Sequence, residues 1–345
     1  MSFNRILSQT LVVGYFQRTI SRERLAHAYL LYGPEGVGKA LFARELAKVL
    51  FCQKKGTEAC DLCNPCRKVD SGTHPDLRWV APLEGKRDIG IGQIVELETQ
   101  VYLKPLEAKR KVFVLEDADK MTAAAANCLL KTLEEPPPGT LFLLTTASIH
   151  SLYSTIVSRC QKVRFHPLPT NVVKRLLSER LDWQRYKGLA ALSCGSLGRA
   201  TKLMEEKVIT HIDRFLEIIQ ESRLEDCFSI SEELMEWCPE TKGLESRRSL
   251  LRTWLDLLLA YYRDMLLYKA GSSECTSGEL ELFYEALVPS FKARTRELSV
   301  DTLLQILEEI IAATEGLYNN ANLNLLLDNL FLRIVDYEKG GVLHV

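Results

Sequence analysis

The sequence predicts an α/β domain built on a parallel sheet, followed by a region that is entirely helical. Three observations carry this prediction. Short apolar segments alternate with helical patterns between residues 28 and 168, strand patterns end after Pro169, and the first apolar segment runs into GPEGVGKA at 33–40. Strands that alternate with helices form parallel sheets with helices on both faces. A strand, a glycine loop and a helix in that order form a phosphate-binding unit.

Length and composition are those of a soluble globular protein with two or three domains. The chain has 345 residues, 46% of them apolar and 26% charged, and a formal net charge of −1. No overall field therefore attracts it to nucleic acid or to an acidic membrane. The N-terminus lacks an apolar core of signal-peptide length, and the most apolar helix is interrupted by charges. We expect a cytoplasmic protein without membrane contact, whose ten cysteines are free or bind metal.

The elements of the first half are predicted from their apolar patterns. Strands are predicted at 28–32, at 77–81, from 111 onward, at 140–146 and at 162–168. Helical spacing is found at 42–51, 91–103, 123–135 and 152–157. Prolines at 136–138 end the third of these helices, because proline has no N–H and cannot continue a helix.

Only helices are predicted after Pro169. Short helices broken at GSLG (195–198) extend from 171 to about 205, longer ones follow from about 208, and 271–279 is predicted to be a loop. Two neighbouring apolar stripes run along one helix and indicate packing on more than one side. They consist of Leu251, Leu255, Leu258, Tyr262 and Met265, and of Leu250, Trp254, Leu257 and Tyr261, while Leu303, Ile306, Ile310 and Leu317 form a later stripe.

The glycine loop is the first candidate site. Gly33, Gly38 and Lys39 fulfil the phosphate-binding pattern G-x-x-x-x-G-K, with Gly36 inside it, and Ala40 stands where a Ser or Thr hydroxyl would bind Mg²⁺. The pattern alone also occurs in incidental turns, but the strand before it and the helix after it favour a P-loop fold. The loop either binds nucleotide without using it well or is kept for its shape.

An acidic pair follows the strand that begins at 111. Hydrolysis needs one carboxylate for Mg²⁺ and one group that activates water. Glu116 and Asp117 stand in the reverse of the usual Asp-Glu order, and the longer side chain at the metal position alters a geometry in which Mg²⁺ tolerates little error. Ordinary strand-end charges are the alternative reading. Thr145, together with the residues of the glycine loop, Glu116 and Asp117, completes the candidate nucleotide-binding residues. Because Ala40 lacks the hydroxyl and the acidic pair is reversed, we predict weak or absent hydrolysis.

The cysteines form the second candidate site. Cys52, Cys60, Cys63 and Cys66 give C-x7-C-x2-C-x2-C. Four thiolates at this spacing suit a tetrahedral, structural Zn²⁺. A redox C-x-x-C pair and a coincidence are the alternatives, and His74 is a conceivable substitute ligand, although a loop histidine is the simpler reading.

Several blocks resemble one family. They are CLLKTLEEPP (128–137), the pattern TT-x5-L-x2-T-I-x-SRC from Thr145 to Cys160, the four-cysteine loop, and the stretch NNANLNLLLDNLFLRI (319–334). The chain thereby resembles bacterial clamp-loader subunits of DNA polymerase III, and among these the delta-prime subunits.

The resemblance implies an AAA+ subunit of three parts. A P-loop core with a zinc loop (52–66) would occupy 1–168, a small helical lid 169–207, and a helical collar for oligomerisation 208–345. The implied partners are gamma/tau-type ATPase subunits and a delta-type subunit. The implied activity of the assembly is to open the sliding clamp and place it on primer-template DNA.

The resemblance also assigns a role to Arg159. The residue alone is either a surface arginine or a finger, but the family match makes it a finger offered in trans to ATP on a neighbouring subunit. Active relatives carry Thr at position 40, Asp-Glu at 116–117 and Arg at Gly198, whereas here Arg199 follows one residue late. We therefore expect a rigid stator of a DNA-directed DNA polymerase holoenzyme, itself without ATPase activity, and ATP or ADP binding is left open.

Two alternatives remain at this level. An autonomous AAA+ ATPase of DNA repair or recombination would require hydrolysis by the isolated chain, which Ala40 disfavours. A zinc-dependent DNA-binding protein is disfavoured because no basic stripe or recognition helix flanks the cysteines.

Overall fold

The computed structural model describes residues 2–83, 86–178, 193, 195–205, 208–221, 227–238, 243–270, 291–292, 294–296, 298–317 and 321–339. The chain divides into two compact units, which are Met1–Leu176 with Cys194–Arg199, and Leu177–Ser193 with Ala200–Val345. The division into core, lid and collar stays a prediction, and the loop predicted at 271–279 lies outside the described residues.

A five-stranded parallel sheet forms the centre of the first unit, which confirms the predicted sheet. Its strands are β1 Ala28–Tyr32, β2 Leu77–Val80, β3 Lys111–Leu115, β4 Thr140–Thr146 and β5 Gln161–Arg164. The order across the sheet is β2-β3-β4-β1-β5. β1 therefore lies between β4 and β5, and the carboxyl ends of β1, β3 and β4 meet at one edge.

The last strand is shorter than the predicted segment 162–168. Phe165 N–H still donates to the Tyr32 carbonyl at 2.8 Å, but the ladder ends there. The backbone of His166 is bonded to a side chain instead, since Gln9 Nε2 donates to its carbonyl at 2.6 Å and its N–H donates to Gln9 Oε1 at 3.2 Å. This pairing diverts the backbone from the ladder, so the strand ends at Arg164.

Helices cover both faces of the sheet. They are α1 Thr10–Ser21, α2 Lys39–Phe51, α3 Asn64–Asp70, α4 Ile91–Val101, α5 Ala123–Glu134 and α6 Ser154–Val157, the last shorter than its predicted segment. Tyr29 and Leu31 of β1 belong to the apolar layer of Phe16 and Phe42, whereas Leu30 belongs to the opposite layer. Burial on both faces explains why these strands are almost continuously apolar.

Helices α1 and α3 are absent from the predicted elements. α1 contains Gly14 and several β-branched residues, which are weak helix formers. Its Val12 and Phe16 are buried in the core, so tertiary packing and not propensity stabilises it. α3 lies in the cysteine segment and has Pro65 in its first turn, a position that proline favours.

One buried carboxylate, that of Asp76, hydrogen-bonds the segment 106–108 that leads into β3. Asp76 is 2% exposed and accepts the N–H groups of Leu106, Glu107 and Ala108 at 2.7, 2.8 and 2.8 Å. Burial is the largest influence on its pKa and raises it, but the three N–H donors together outweigh burial and hold the pKa below its usual range.

We expect Asp76→Asn to lower the free energy of unfolding at neutral pH by about 1.5–3 kcal/mol, because it removes the charge from these hydrogen bonds. A carboxyl whose pKa is depressed by folding contributes stability above its unfolded pKa and loses it as pH falls through the folded value. The difference between variant and wild type should therefore vanish in acid. Denaturant titrations at several pH values test this. Asp88→Asn, at an exposed position, is the control, and an equal loss there would contradict the prediction.

The described elements of the remaining chain are helices. They are α7 Thr170–Ser178, α8 Leu197–Glu205, α9 Val208–Glu221, α10 Cys227–Glu236, α11 Leu244–Lys269, α12 Val300–Gly316 and α13 Leu323–Glu338. The predicted break at 195–198 is wrong in its second half, because Leu197 and Gly198 begin α8. No described helix is both long and apolar enough to cross a membrane.

The predicted apolar stripes are buried in the second unit. All nine stripe residues of α11 are at most 4% exposed, as are Leu303, Ile306 and Ile310 of α12. α11 packs against α12, and α12 and α10 pack against α13. α11 is thus buried on more than one side, which confirms the prediction for this helix.

A polar network adds to this packing. Arg294 donates to both oxygens of Glu338 at 2.6 Å and to the Ile219 carbonyl at 2.8 Å. Tyr262 Oη also donates to Glu338, at 2.9 Å, and burial raises its pKa well above the usual value. The network joins the ends of α9 and α13 to α11.

Candidate functional site

The glycine loop joins β1 to α2 and approaches other backbone segments closely. A Cβ at Gly33 would lie 2.3 Å from the Phe165 carbonyl oxygen. A Cβ at Gly36 would lie 2.2 Å from Ser196 Oγ and 2.9 Å from Gly198 Cα. Only glycine fits at such distances and at the left-handed φ of +69° at Gly36. The loop therefore contacts the start of α8 directly.

Lys39, the phosphate-binding lysine of the motif, is bonded to its own loop. Its Nζ donates to the carbonyls of Gly33 and Pro34 at 2.6 and 2.7 Å, and the residue is 7% exposed. Burial lowers the pKa of Lys39, although Asp117 and Glu35 act in the opposite direction. Ala40 follows as the second residue of α2 and presents a methyl group.

The carboxylate of Glu116 is bonded to a neighbouring strand. Trp79 Nε1 donates to Glu116 Oε2 at 2.8 Å, and the guanidinium of Arg44 lies 5.6 Å from the centroid of the Trp79 ring. Trp79 and Val114 are partners in the ladder between β2 and β3. This contact was not predicted. The position of Trp79 near the end of an adjacent strand is the signal that could have indicated it.

The carboxylate of Asp117 is bonded locally. Lys120 Nζ contacts Asp117 Oδ2 at 2.7 Å, and Asp117 N–H donates to Thr145 Oγ1 at 3.1 Å. Asp117 itself has a left-handed φ of +51°. The structure thus brings together Lys39, Asp117 and Thr145 of the predicted nucleotide set, but Lys39, Glu116 and Asp117 have partners within the chain.

Arg159 lies at the amino-terminal end of the parallel strands, whereas the glycine loop lies at their carboxyl-terminal end, directly after β1. This arginine precedes β5, whose first residue pairs with Tyr29 and whose last pairs with Tyr32, directly before the loop. Arg159 Nη1 donates to the Thr155 carbonyl at 2.8 Å, and its Nη2 contacts Glu134 Oε1. The side chain is 31% exposed.

The four predicted metal ligands converge. The Sγ atoms of Cys52, Cys60, Cys63 and Cys66 all lie within 4.8 Å of one another, and those of Cys63 and Cys66 are 3.4 Å apart. A tetrahedral zinc ion with Zn–S bonds of about 2.3 Å separates its sulfurs by about 3.8 Å. The cluster has the donor type and the size that such an ion requires. His74 is not part of it, since its ring stacks on Phe51 with centroids 4.1 Å apart.

Backbone N–H groups point at the sulfurs. Cys60 N–H donates to Cys52 Sγ and Cys63 N–H to Cys60 Sγ, each at 3.4 Å. The N–H groups of Leu62 and Cys63 lower the pKa of Cys60 to about 6, whereas burial raises the pKa of Cys66. Donors directed at sulfur favour the thiolate, which is the form that binds metal.

The fold and these sites define a class of protein: an α/β domain with a phosphate loop whose charged groups are bonded within the chain, together with a four-cysteine cluster. The family model described as DNA polymerase III, delta subunit, matches residues 8–169. The delta' subunit of Bacillus subtilis (strain 168) is 31% identical over 330 residues, covering 94% of this chain and 96% of that protein.

Two further relatives are also subunits of DNA polymerase III. The delta' subunit of Escherichia coli (strain K12) is 30% identical over 92% of this chain and 91% of its own length. The tau subunit of Bacillus subtilis is 25% identical over 78% of this chain and 50% of its own length. The chain belongs to the family of DNA polymerase III delta' subunits, which confirms the resemblance found in the sequence.

Proposed function

We propose that the chain is a delta'-type subunit of a DNA polymerase III clamp loader in DNA replication. It assembles with gamma/tau-type ATPase subunits and a delta-type subunit, and the assembly loads the sliding clamp onto primed DNA. Within it the chain is a stator of the AAA+ type, with core, lid and collar, that hydrolyses no ATP and offers Arg159 to a neighbouring ATPase site. The internal bonding of its own nucleotide site is the observation that carries this proposal.

Each charged group of that site would have to exchange a partner before it could act. Lys39 would leave two carbonyls, Glu116 would leave Trp79 and Asp117 would leave Lys120. Ala40 offers no oxygen to Mg²⁺. Catalysis of phosphoryl transfer depends on groups that are already in position, so this arrangement supports absent hydrolysis.

The close approach of Gly198 to the glycine loop, within the first unit, supports the same proposal. A Cβ at Gly198 would lie 2.9 Å from Gly36 Cα, and Gly198 N–H donates to the Gly36 carbonyl at 3.3 Å. An arginine at position 198, as in active relatives, would not fit against the loop in this arrangement. We infer that the loop is kept for its shape, as a close contact within the first unit against Ser196 and Gly198.

The position of Arg159 favours action on another chain. Its own phosphate loop lies beyond the far end of β5, and the three residue steps of this strand alone amount to about 10 Å. A guanidinium at the amino-terminal end of the strands can approach a γ-phosphate only if a neighbouring subunit brings it there. Its present partner Glu134 is half exposed, so the exchange for a phosphate costs little.

The cysteine cluster is proposed to hold one Zn²⁺. Cys52, Cys60, Cys63 and Cys66 would supply four thiolates and leave no open position, so the ion would stabilise the fold and would not act on a substrate.

We expect no ATP turnover by the purified chain with Mg²⁺, and none by Ala40→Thr, because the restored hydroxyl leaves Lys39 and Glu116 with their internal partners. Phosphate release and nucleotide binding should be measured for both proteins. Lys39→Ala is the control, since turnover that survives in it does not come from the loop. Turnover in the wild type that Lys39→Ala abolishes would contradict the stator and favour an autonomous AAA+ ATPase of repair or recombination.

A further inference from the structure

A buried lysine lies next to the cysteine segment and has no role in the sites described so far. Lys48 on α2 is fully buried, and its Nζ lies 2.7 Å from Asp61, 3.1 Å from Asp70 and 3.1 Å from Glu45. Glu45 is also fully buried and lies 3.6 Å from Arg5. A buried charge is costly unless it is paired. Three carboxylates surround the one ammonium group, so Lys48 links α2 to the segments that carry Asp61 and Asp70.

The partners of Lys48 belong to the pieces of chain that carry the sulfurs. Cys52 directly follows α2, the helix of Lys48 itself. Asp61 lies between Cys60 and Cys63, and Asp70 is the last residue of α3, which carries Cys66. The ammonium group of Lys48 therefore contacts both the turn that holds Asp61 and the helix α3. Both segments have to pack against the end of α2 before the four sulfurs can come together.

Asp61 is connected to the sulfur cluster a second time, through its backbone. It has a left-handed φ of +59°, which is uncommon for a residue with a side chain. Its backbone N–H is directed at the sulfur of Cys66. In the ion pair with Lys48 the Asp61 side chain is 23% exposed and the Lys48 side chain is fully buried.

We propose that the Lys48–Asp61 ion pair is the positioning contact of the metal centre: it holds the turn between Cys60 and Cys63 in its left-handed form, so that the sulfurs converge before the metal binds. The inference rests on the metal centre proposed above. Lys48 and Asp61 are positioning residues and touch no metal.

The physical reason is preorganisation. Without the ion pair, the turn has to be ordered at the moment of metal binding, and this conformational entropy is subtracted from the affinity. Outer partners of metal ligands typically contribute 10–100-fold to affinity. We expect a loss of this size when the Asp61 charge is removed.

Asp61→Asn is the variant of choice. Asparagine has the same shape and also tolerates the left-handed conformation, so the substitution removes the charge and keeps the turn. Asp70→Asn is the matched control, because it removes a carboxylate from the same lysine at a position that does not lie between two ligands. Chelator-treated, reduced wild type and both variants are titrated with Co²⁺, whose thiolate absorption bands report the ligands, and Zn²⁺ affinity is measured by competition. Denaturant unfolding of the metal-free proteins runs in parallel.

The expected result is a 10–100-fold weaker Co²⁺ and Zn²⁺ affinity for Asp61→Asn, a much smaller change for Asp70→Asn, and four-thiolate Co²⁺ spectra throughout. Affinity within about twofold of wild type for Asp61→Asn would overturn the proposal, since this is far below such a contribution. An equal loss in Asp70→Asn would do so too. Reduced stability of metal-free Asp61→Asn with unchanged affinity would make the residue purely structural. A wild type that binds neither ion would overturn the metal centre itself, which is a different and recognisable failure.

Discussion

Arg159→Ala in a reconstituted clamp loader is expected to lower ATP turnover about 10³-fold at the ATPase site that this chain faces, which is the scale of a lost arginine finger. In the proposed role, the guanidinium would stabilise the charge that develops on the transferred phosphoryl group, and the methyl group of alanine could not. The chain should still fold, because Arg159 contributes a partly exposed ion pair with Glu134 that is worth about 1 kcal/mol. Steady-state ATP hydrolysis by the assembled loader, with clamp and primed DNA present, is the measurement.

Two companion variants sharpen this test. Arg159→Lys keeps the positive charge but loses the planar fork of donors, so it should recover only a small part of the activity. Arg164→Ala removes an exposed arginine from β5, five residues further along, and should leave turnover unchanged. Wild-type turnover in the Arg159→Ala assembly, with normal subunit composition, would reject the finger.

Removal of the proposed zinc ion is expected to lower the free energy of unfolding by about 4 kcal/mol, for a metal present at roughly a thousand times its dissociation constant. The sulfurs are gathered within 4.8 Å, so without an ion the thiolates repel one another or take up protons. The segment that carries them then loses the ion that connects its parts, whereas the sheet keeps its other apolar contacts. Zinc content of freshly purified, reduced protein, and unfolding with and without chelator, are the measurements.

Cysteine variants separate this effect from a general need for thiols. Cys63→Ser should reproduce the loss caused by the chelator and make the protein insensitive to it. Cys128→Ser should bind zinc normally, because Cys128 lies outside the cluster. The variant should also fold normally, because serine can still donate to Glu98. Metal binding should also weaken as pH falls, since protons compete for the sulfurs and burial raises the pKa of Cys66. Freshly purified protein without any bound metal would contradict the prediction.

Local patterns of the sequence were sufficient for the sheet and for the identity of the candidate sites. Continuous apolar segments predicted β1 to β5, because parallel strands are buried on both faces. Two of the candidate sites are short motifs, namely the glycine pattern around Lys39 and the spacing of Cys60, Cys63 and Cys66. Such motifs depend only on residues close together in the sequence, so they can be recognised without the structure. The motifs around Arg159 likewise sufficed to indicate the family.

Elements that depend on distant partners were not predictable in this way. β5 ends early because Gln9 bonds the backbone of His166, 157 residues away. α1 forms because its weak helix formers are buried against the core, and His74 leaves the ligand set because its ring stacks on Phe51. In each case the deciding partner follows only from the packing of the whole domain.

The same division applies to function. By itself the sequence determined which chemical groups this protein has: a loop for phosphate without its hydroxyl, four thiols at metal spacing, and an arginine in a family motif. Only the tertiary structure decided what these groups bind now. Trp79 holds Glu116, the loop carbonyls hold Lys39, Gly198 lies against Gly36, and Lys48 reaches Asp61. The physical reason is that hydrogen bonds and ion pairs form between groups that the fold makes adjacent, irrespective of their separation along the chain.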